Sequence, residues 1–175
     1  MFAYFLIFAA TILRVLSHYD VLHVPPNVEP IAAMALFGGA YLNRRFALVV
    51  PILAMVVSDY FIGFDSLESR LAVYGSFSLS GLLGLWVRKN KSFERVVAGT
   101  LAGSLAFYLI TNLVWLYTPA MYAHNWTGQA QSYLNALPFL RNTLVGDLFY
   151  VAVMFGSFEL VRKYFAKAER LVKES

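Results

Sequence analysis

The chain has 175 residues, of which 59% are hydrophobic and 14% charged, against about 25% charged in an ordinary soluble domain. This deficit points to an integral membrane protein and leaves no polar stretch for a second, soluble domain. Cysteine is absent, which excludes disulfides, thiolate metal sites and cysteine nucleophiles. The net charge of +4 sits in short loops and at the C-terminus, where membrane topology accounts for it without nucleic acid.

In chain order, residues 1–17 are apolar apart from Arg14. At about 1.5 Å per residue they make a slightly short span. The segment lacks the basic start and cleavage site of a signal peptide, so a retained span is expected. The polar stretch 18–29 contains Pro25 and Pro26 but no Lys or Arg. The apolar run 30–42 is shorter than the usual minimum of about 17 residues, so a second span is expected to begin earlier, over 26–42, or to be partly irregular. Further spans are expected at 46–64, which holds Pro51 and ends near Ser58-Asp59, at 71–87, at 96–117 and at 138–161. The segment 118–137 reads as a polar, aromatic connection and 162–175 as a basic tail. The expected architecture is all-α, a single domain over 1–175 built as a bundle of six transmembrane helices.

Lys and Arg concentrate in 43–45, 88–95 and the tail, while the alternate loops hold only Arg70. The positive-inside rule then places both termini in the cytoplasm and the protein in the cell membrane. That orientation sets depth. Arg14, Asp59, Asn112, Arg141 and Asp147 all fall roughly 5–15 Å below the outer surface. A charge at the centre of a bilayer costs about 2.5–3.5 kcal/mol on insertion scales, so such residues usually face a cavity or a partner. Any one of them is equally well explained by snorkelling or by a structural ion pair. As a set confined to one layer, they resemble the wall of a pocket open to the outside.

The most polar stretch is PFLRNTLVGD, 138–147. Thr143 and Asp147 are one helical turn apart and share a face, whereas Arg141 is turned away from Asp147. Each charge therefore needs another helix or a ligand, with Arg14–Asp147 and Asp59–Arg141 as open pairings. Asn142 lies beside them. The outer loops add Asn27, Glu29, Trp126 and Tyr133, which suit hydrogen bonding and stacking to a small polar ligand. An interfacial aromatic belt is the competing account of Trp115, Tyr117, Tyr122 and Trp126. Arg14 and Arg141 would suit a carboxylate or phosphate.

In the fifth span Ala98, Ala102 and Ala106 recur every fourth residue, as do Gly99 and Gly103. Such stripes let helices approach closely in lipid. Packing within the bundle explains them, and docking of a second membrane protein on Ala98, Ala102, Gly99 and Gly103 is the sharper reading. The chain has no Walker A motif, no H-E-x-x-H and no G-x-S-x-G, so no catalytic residue, metal or cofactor is predicted. His18, His23 and His124 lie scattered in outer loops. Asn125-Trp126-Thr127 matches a glycosylation acceptor.

The blocks PIAAMALFGGAYLNRR, LAMVVSD, YLITNLVW and YLNALPFLRNTLVGDLFYVAVMFG resemble a family of small prokaryotic membrane proteins of unassigned function. More broadly, the size, the six spans and P-I-A-A-x-A-L-F-G-G-A followed by a proline-containing span ending in Asp59 resemble the substrate-binding S components of energy-coupling factor transporters. That resemblance implies capture of a vitamin or similar micronutrient, with a transmembrane coupling subunit and ATPases as partners alongside the lipid bilayer. The first span holds only Ala3, Ala9 and Ala10 and no full stripe of the kind such proteins carry on their first helix. The leading expectation is thus a small-molecule capture subunit. Its rival is a structural or assembly subunit of a membrane complex, and an intramembrane enzyme using Asp59 and Asp147 ranks third.

Overall fold

The computed structural model describes the backbone of residues 1–118 and 121–174. Among these, six α-helices and no strand occur: α1 (Phe2–His18), α2 (Ile31–Tyr41), α3 (Val49–Ile62), α4 (Leu67–Arg88), α5 (Phe93–Thr111) and α6 (Trp126–Glu174). One 3₁₀ turn, Val114–Leu116, lies between α5 and α6. Helices α4, α5 and α6 are each long and apolar enough to cross a membrane, and α1 to α3 are shorter apolar helices.

Helix α2 is the axis of the bundle. Every residue from Ile31 to Ala40 is buried. Its principal neighbour is α4, with α6, α1, α3 and α5 around the rest. The sequence IAAMALFGGA has no polar face, as a helix enclosed on all sides requires. Its 11 residues extend only about 16 Å, roughly half the thickness of a hydrocarbon layer. The segment predicted as a span over 26–42 is therefore a short helix preceded by irregular backbone. Asp20, His23 and Asn27 adopt positive φ there. Protein covers α2, so its ends need not meet lipid.

Contact between α2 and α4 is backbone to backbone. Gly39 faces Gly81 and Gly84, so that an added Cβ at Gly39 would collide with the Gly81 carbonyl. At its C-terminal end α2 is closed by Arg88, which donates to the Gly39 carbonyl at 2.6 and 2.9 Å and also to that of Leu42. A cation there satisfies orphan carbonyls of the last turn. Tyr41 donates to Glu159 at 2.6 Å, tying α2 to α6. The rings of Phe37, Tyr41, Phe155 and Phe158 fill the space between them.

The largest departure from the sequence reading is α6. Residues 126–137, expected as connection, and 162–174, expected as tail, belong to one helix of 49 residues with Pro138 inside it. Of the expected connection, residues 119 and 120 lie outside the described residues, as does residue 175 of the tail. Asn125 accepts from the Gly128 amide at 2.8 Å and so starts α6, as Ser66 and Ser92 start α4 and α5. The buried residues Gln129, Ser132, Ala136, Thr143, Asp147, Val151 and Met154 recur at steps of three, four or seven residues along it, which keeps them on one face. The upper part of that stripe is polar, so hydropathy alone hides it. Pro138 leaves the Leu134 carbonyl without its helical donor. The neighbouring Tyr133 carbonyl accepts from the Tyr108 hydroxyl at 2.7 Å.

The small-residue stripes of α5 part company. Gly99 and Gly103 are buried, one against Val87 and Leu36, the other with a Cβ position 2.8 Å from Ser80 Oγ. They serve packing within the bundle and are closed to a partner. Ala98 and Ala102 face outward and line a groove with Leu79, Leu82, Leu83 and Trp86 of α4.

Candidate functional site

The site lies at the end of the bundle where α1 and α3 finish and α2 and α4 begin. Arg14, near the end of α1, reaches α3 and the segment before α2. Its Nη1 donates to Asp59 at 2.5 Å and to Ser58, and its Nε donates to Glu29 at 3.3 Å. Ser58 in turn donates to the Met55 carbonyl at 2.8 Å. The second oxygen of Asp59 accepts from the Tyr74 hydroxyl of α4. Side chains of Arg14 and Asp59 are only 12% and 10% exposed, so the pair is desolvated and each charge depends on its partner. Neither pairing left open by the sequence, Arg14–Asp147 or Asp59–Arg141, is formed.

Beside this ion pair is a cavity of about 370 Å³. Its polar wall is Arg14, Asn27, Glu29, Asp65, Thr143 and Asp147, and its apolar wall is Ile31, Ala32, Val73, Phe77 and Phe107. Phe77 and Phe107 stack on each other with centroids 5.2 Å apart. Thr143 turns its hydroxyl back to the Phe139 carbonyl at 3.0 Å. Asp147, 3% exposed, accepts from Ser104 of α5 at 2.6 Å through one oxygen. Its other oxygen receives no hydrogen bond among the described residues. Ser104 is 0% exposed, and its single hydroxyl hydrogen lies between Asp147 and the Thr100 carbonyl, which is 3.0 Å away and competes for it. Truncation of Ser104 to Ala leaves a buried carboxylate with fewer partners and is expected to destabilise the protein by about 1–3 kcal/mol. Thermal unfolding in detergent measures it; an unchanged midpoint would mean that the Ser104 contact carries no weight.

Of the residues singled out in the sequence, Arg14, Asn27, Glu29 and Asp147 line this cavity, and Asp59 stands behind it as the partner of Arg14. Five others lie elsewhere. Asn112 ends α5: its amide donates to the Tyr108 carbonyl, and its own carbonyl accepts from Gln129 and Ser132 of α6. It lines an adjoining hollow of about 240 Å³ that shares Asn27, Phe107 and Thr143 with the main cavity. Trp126 is 81% exposed, with its ring 5.3 Å from that of Trp115. Tyr133 donates to the Leu109 carbonyl at 3.0 Å and packs on Tyr108. Asn142 donates to the Pro26 carbonyl at 3.1 Å, fastening α6 to the segment before α2. Arg141 is exposed and has no carboxylate partner among the described residues.

Ser58, Tyr74, Ser104, Phe77 and Phe107 carry the site and were not singled out. Ser58 adjoins Asp59, and Ser104 lies one turn after Thr100 in the middle of an apolar helix. Both are polar interruptions that could have been counted. Nothing in the sequence separates Phe77 and Phe107 from the other phenylalanines, because their role depends on α4 and α5 lying side by side.

Fold and site together define an all-helical protein of apolar helices, three of them able to cross a membrane, enclosing a polar cavity at one end. The chain belongs to a family of unknown function (DUF6580), whose model matches residues 1–169. No curated protein and no solved structure matches it.

Proposed function

We propose that this protein is the substrate-capture subunit of a micronutrient importer, holding a small molecule in the cavity bounded by Arg14, Glu29, Phe77, Thr143 and Asp147. The observation that carries this reading is the cavity itself. A lining that combines polar groups with a stacked aromatic pair and a volume of about 370 Å³ are the features of a small-molecule site. The distribution of Lys and Arg along the chain supports a cavity open to the outside, with both termini in the cytoplasm. In this reading the six helices form one bundle in the cell membrane. The likeness to S components of energy-coupling factor transporters adds a coupling subunit and ATPases as partners.

The experiment is purification in mild detergent, followed by mass spectrometry for a retained small molecule and thermal unfolding with and without it. Ligand at 100 times its Kd should stabilise the protein by about 2.7 kcal/mol. Asp147→Ala is expected to lose the retained molecule and the thermal shift, whereas Arg141→Ala, outside the cavity, keeps both. Wild-type protein that retains nothing, in cells whose growth is indifferent to Asp147→Ala, would sink the capture reading.

A structural subunit of a membrane complex is the second reading. The outward groove of Ala98, Ala102, Leu79, Leu82 and Trp86 favours it. Here Ala102→Phe should abolish recovery of a stable partner in a pull-down, with the cavity residues dispensable.

A further inference from the structure

The charges around the cavity decide what kind of molecule it suits. Arg14 is the one cation lining it among the described residues, against the carboxylates Glu29, Asp65 and Asp147. That guanidinium is already matched by Asp59 at 2.5 Å and Glu29 at 3.3 Å, so it brings no net positive charge to a ligand. Arg141, the other cation that would suit an anion, lies outside the lining. Asp65 is at the exposed mouth and accepts from the Ser66 amide at 2.7 Å. Deeper in, Asp147 is buried, has Ser104 on one oxygen and no donor on the other among the described residues. Asp147 thus lines the cavity with one oxygen that takes no protein donor among the described residues and can accept from a ligand. Phe77, Phe107 and Val73 supply apolar surface in the same lining.

We infer that the ligand is a small organic cation or amine: a protonated nitrogen seated on Asp147, attached to an apolar or aromatic body lying against Phe77 and Phe107. This replaces the carboxylate or phosphate that the two arginines suggested in the sequence, and it rests on the capture reading. A positive nitrogen completes the hydrogen bonding of Asp147 and offsets the excess of carboxylates. An anionic ligand in the same place would meet Glu29 and Asp147 without a free cation to match it, an arrangement opposed by like charge in a medium that screens poorly.

Three indoles of one shape and different charge test this on the full-length protein in detergent: tryptamine, the alcohol tryptophol and indole-3-propionate, each at millimolar concentration. Tryptamine is expected to raise the unfolding midpoint by several degrees, with tryptophol weaker and indole-3-propionate without effect. Asp147→Asn, which keeps the shape and removes the charge, should bring tryptamine and tryptophol to within about twofold of each other in apparent affinity. If the unliganded midpoint of Asp147→Asn has fallen, direct titration at low temperature supplies the affinities instead. Equal shifts from all three, or preference for the propionate, would overturn the cation assignment and leave the capture reading standing. No shift from any of them, with no retained small molecule in the purified protein, would overturn both.

Discussion

Gly39→Ala and Gly84→Ala should each lower the thermal midpoint strongly, although each adds one methyl group. At Gly39 the new Cβ would lie 2.7 Å from the Gly84 Cα, and at Gly84 it would lie 2.8 Å from the Gly39 Cα. The obstructing atoms are backbone, so no side chain can turn aside. Helices α2 and α4 must separate instead. Overpacking of this sort costs about 1–3 kcal/mol. The displacement would also pull the Gly39 carbonyl from Arg88 and shift Ile31 and Ala32, which line the cavity. Gly75→Ala and Gly156→Ala are the controls. A Cβ at either meets nothing within 4 Å, and alanine is favoured over glycine in a helix by about 1 kcal/mol. These should be neutral or stabilising. Thermal unfolding of the four variants in one detergent gives the comparison; indistinguishable midpoints would mean that α2 and α4 are not in contact as described.

Asp59→Leu is expected to be still more damaging, because it strips Arg14 of its shorter carboxylate contact and Tyr74 of its acceptor. Breaking a buried ion pair from one side costs about 3–5 kcal/mol, since the remaining charge stays desolvated. Glu29 still reaches the guanidinium at 3.3 Å, which places the effect toward the lower end. The informative partner is the double variant Arg14→Met with Asp59→Leu. Replacing both charges by apolar groups of similar size is often neutral, so the double variant should be more stable than Asp59→Leu alone. Additive losses would show that the two residues act independently and would remove the ion pair as the element joining α1 to α3. Arg14 also lines the cavity, so the double variant separates roles: it should fold while binding any ligand less well.

Much of this architecture was open to a reading of the chain. Low charge, long apolar runs and the polar residues within them were enough to expect an all-helical protein with Arg14, Asp59 and Asp147 as unusual positions. Hydropathy misplaced the start of α6, however, because its first turns bury Gln129 and Ser132 rather than aliphatic side chains. Those residues are buried by hydrogen bonds to the end of α5, a partner that no local window contains. For the same reason the sequence did not show that Asn112, expected as a ligand residue, also ends α5 and is held to α6.

Composition and periodicity by themselves determined that the chain is helical and apolar, because a helix satisfies its own backbone and its hydrophobic pattern is written locally. Only the tertiary structure decided who meets whom. Arg14 chose Asp59 and Glu29 over Asp147 because α1 lies along α3, and Asp147 met Ser104 because α6 lies along α5. Gly39 and Gly84, 45 positions apart by number, are meaningful only as a pair. Charge partners and close approaches are properties of distances between helices, and those distances are set by packing rather than by spacing along the chain. The consequence reaches the cavity: two arginines made it look suited to an anion, but once they are placed, Arg14 lines it already matched by Asp59 and Glu29, and Arg141 lies outside it.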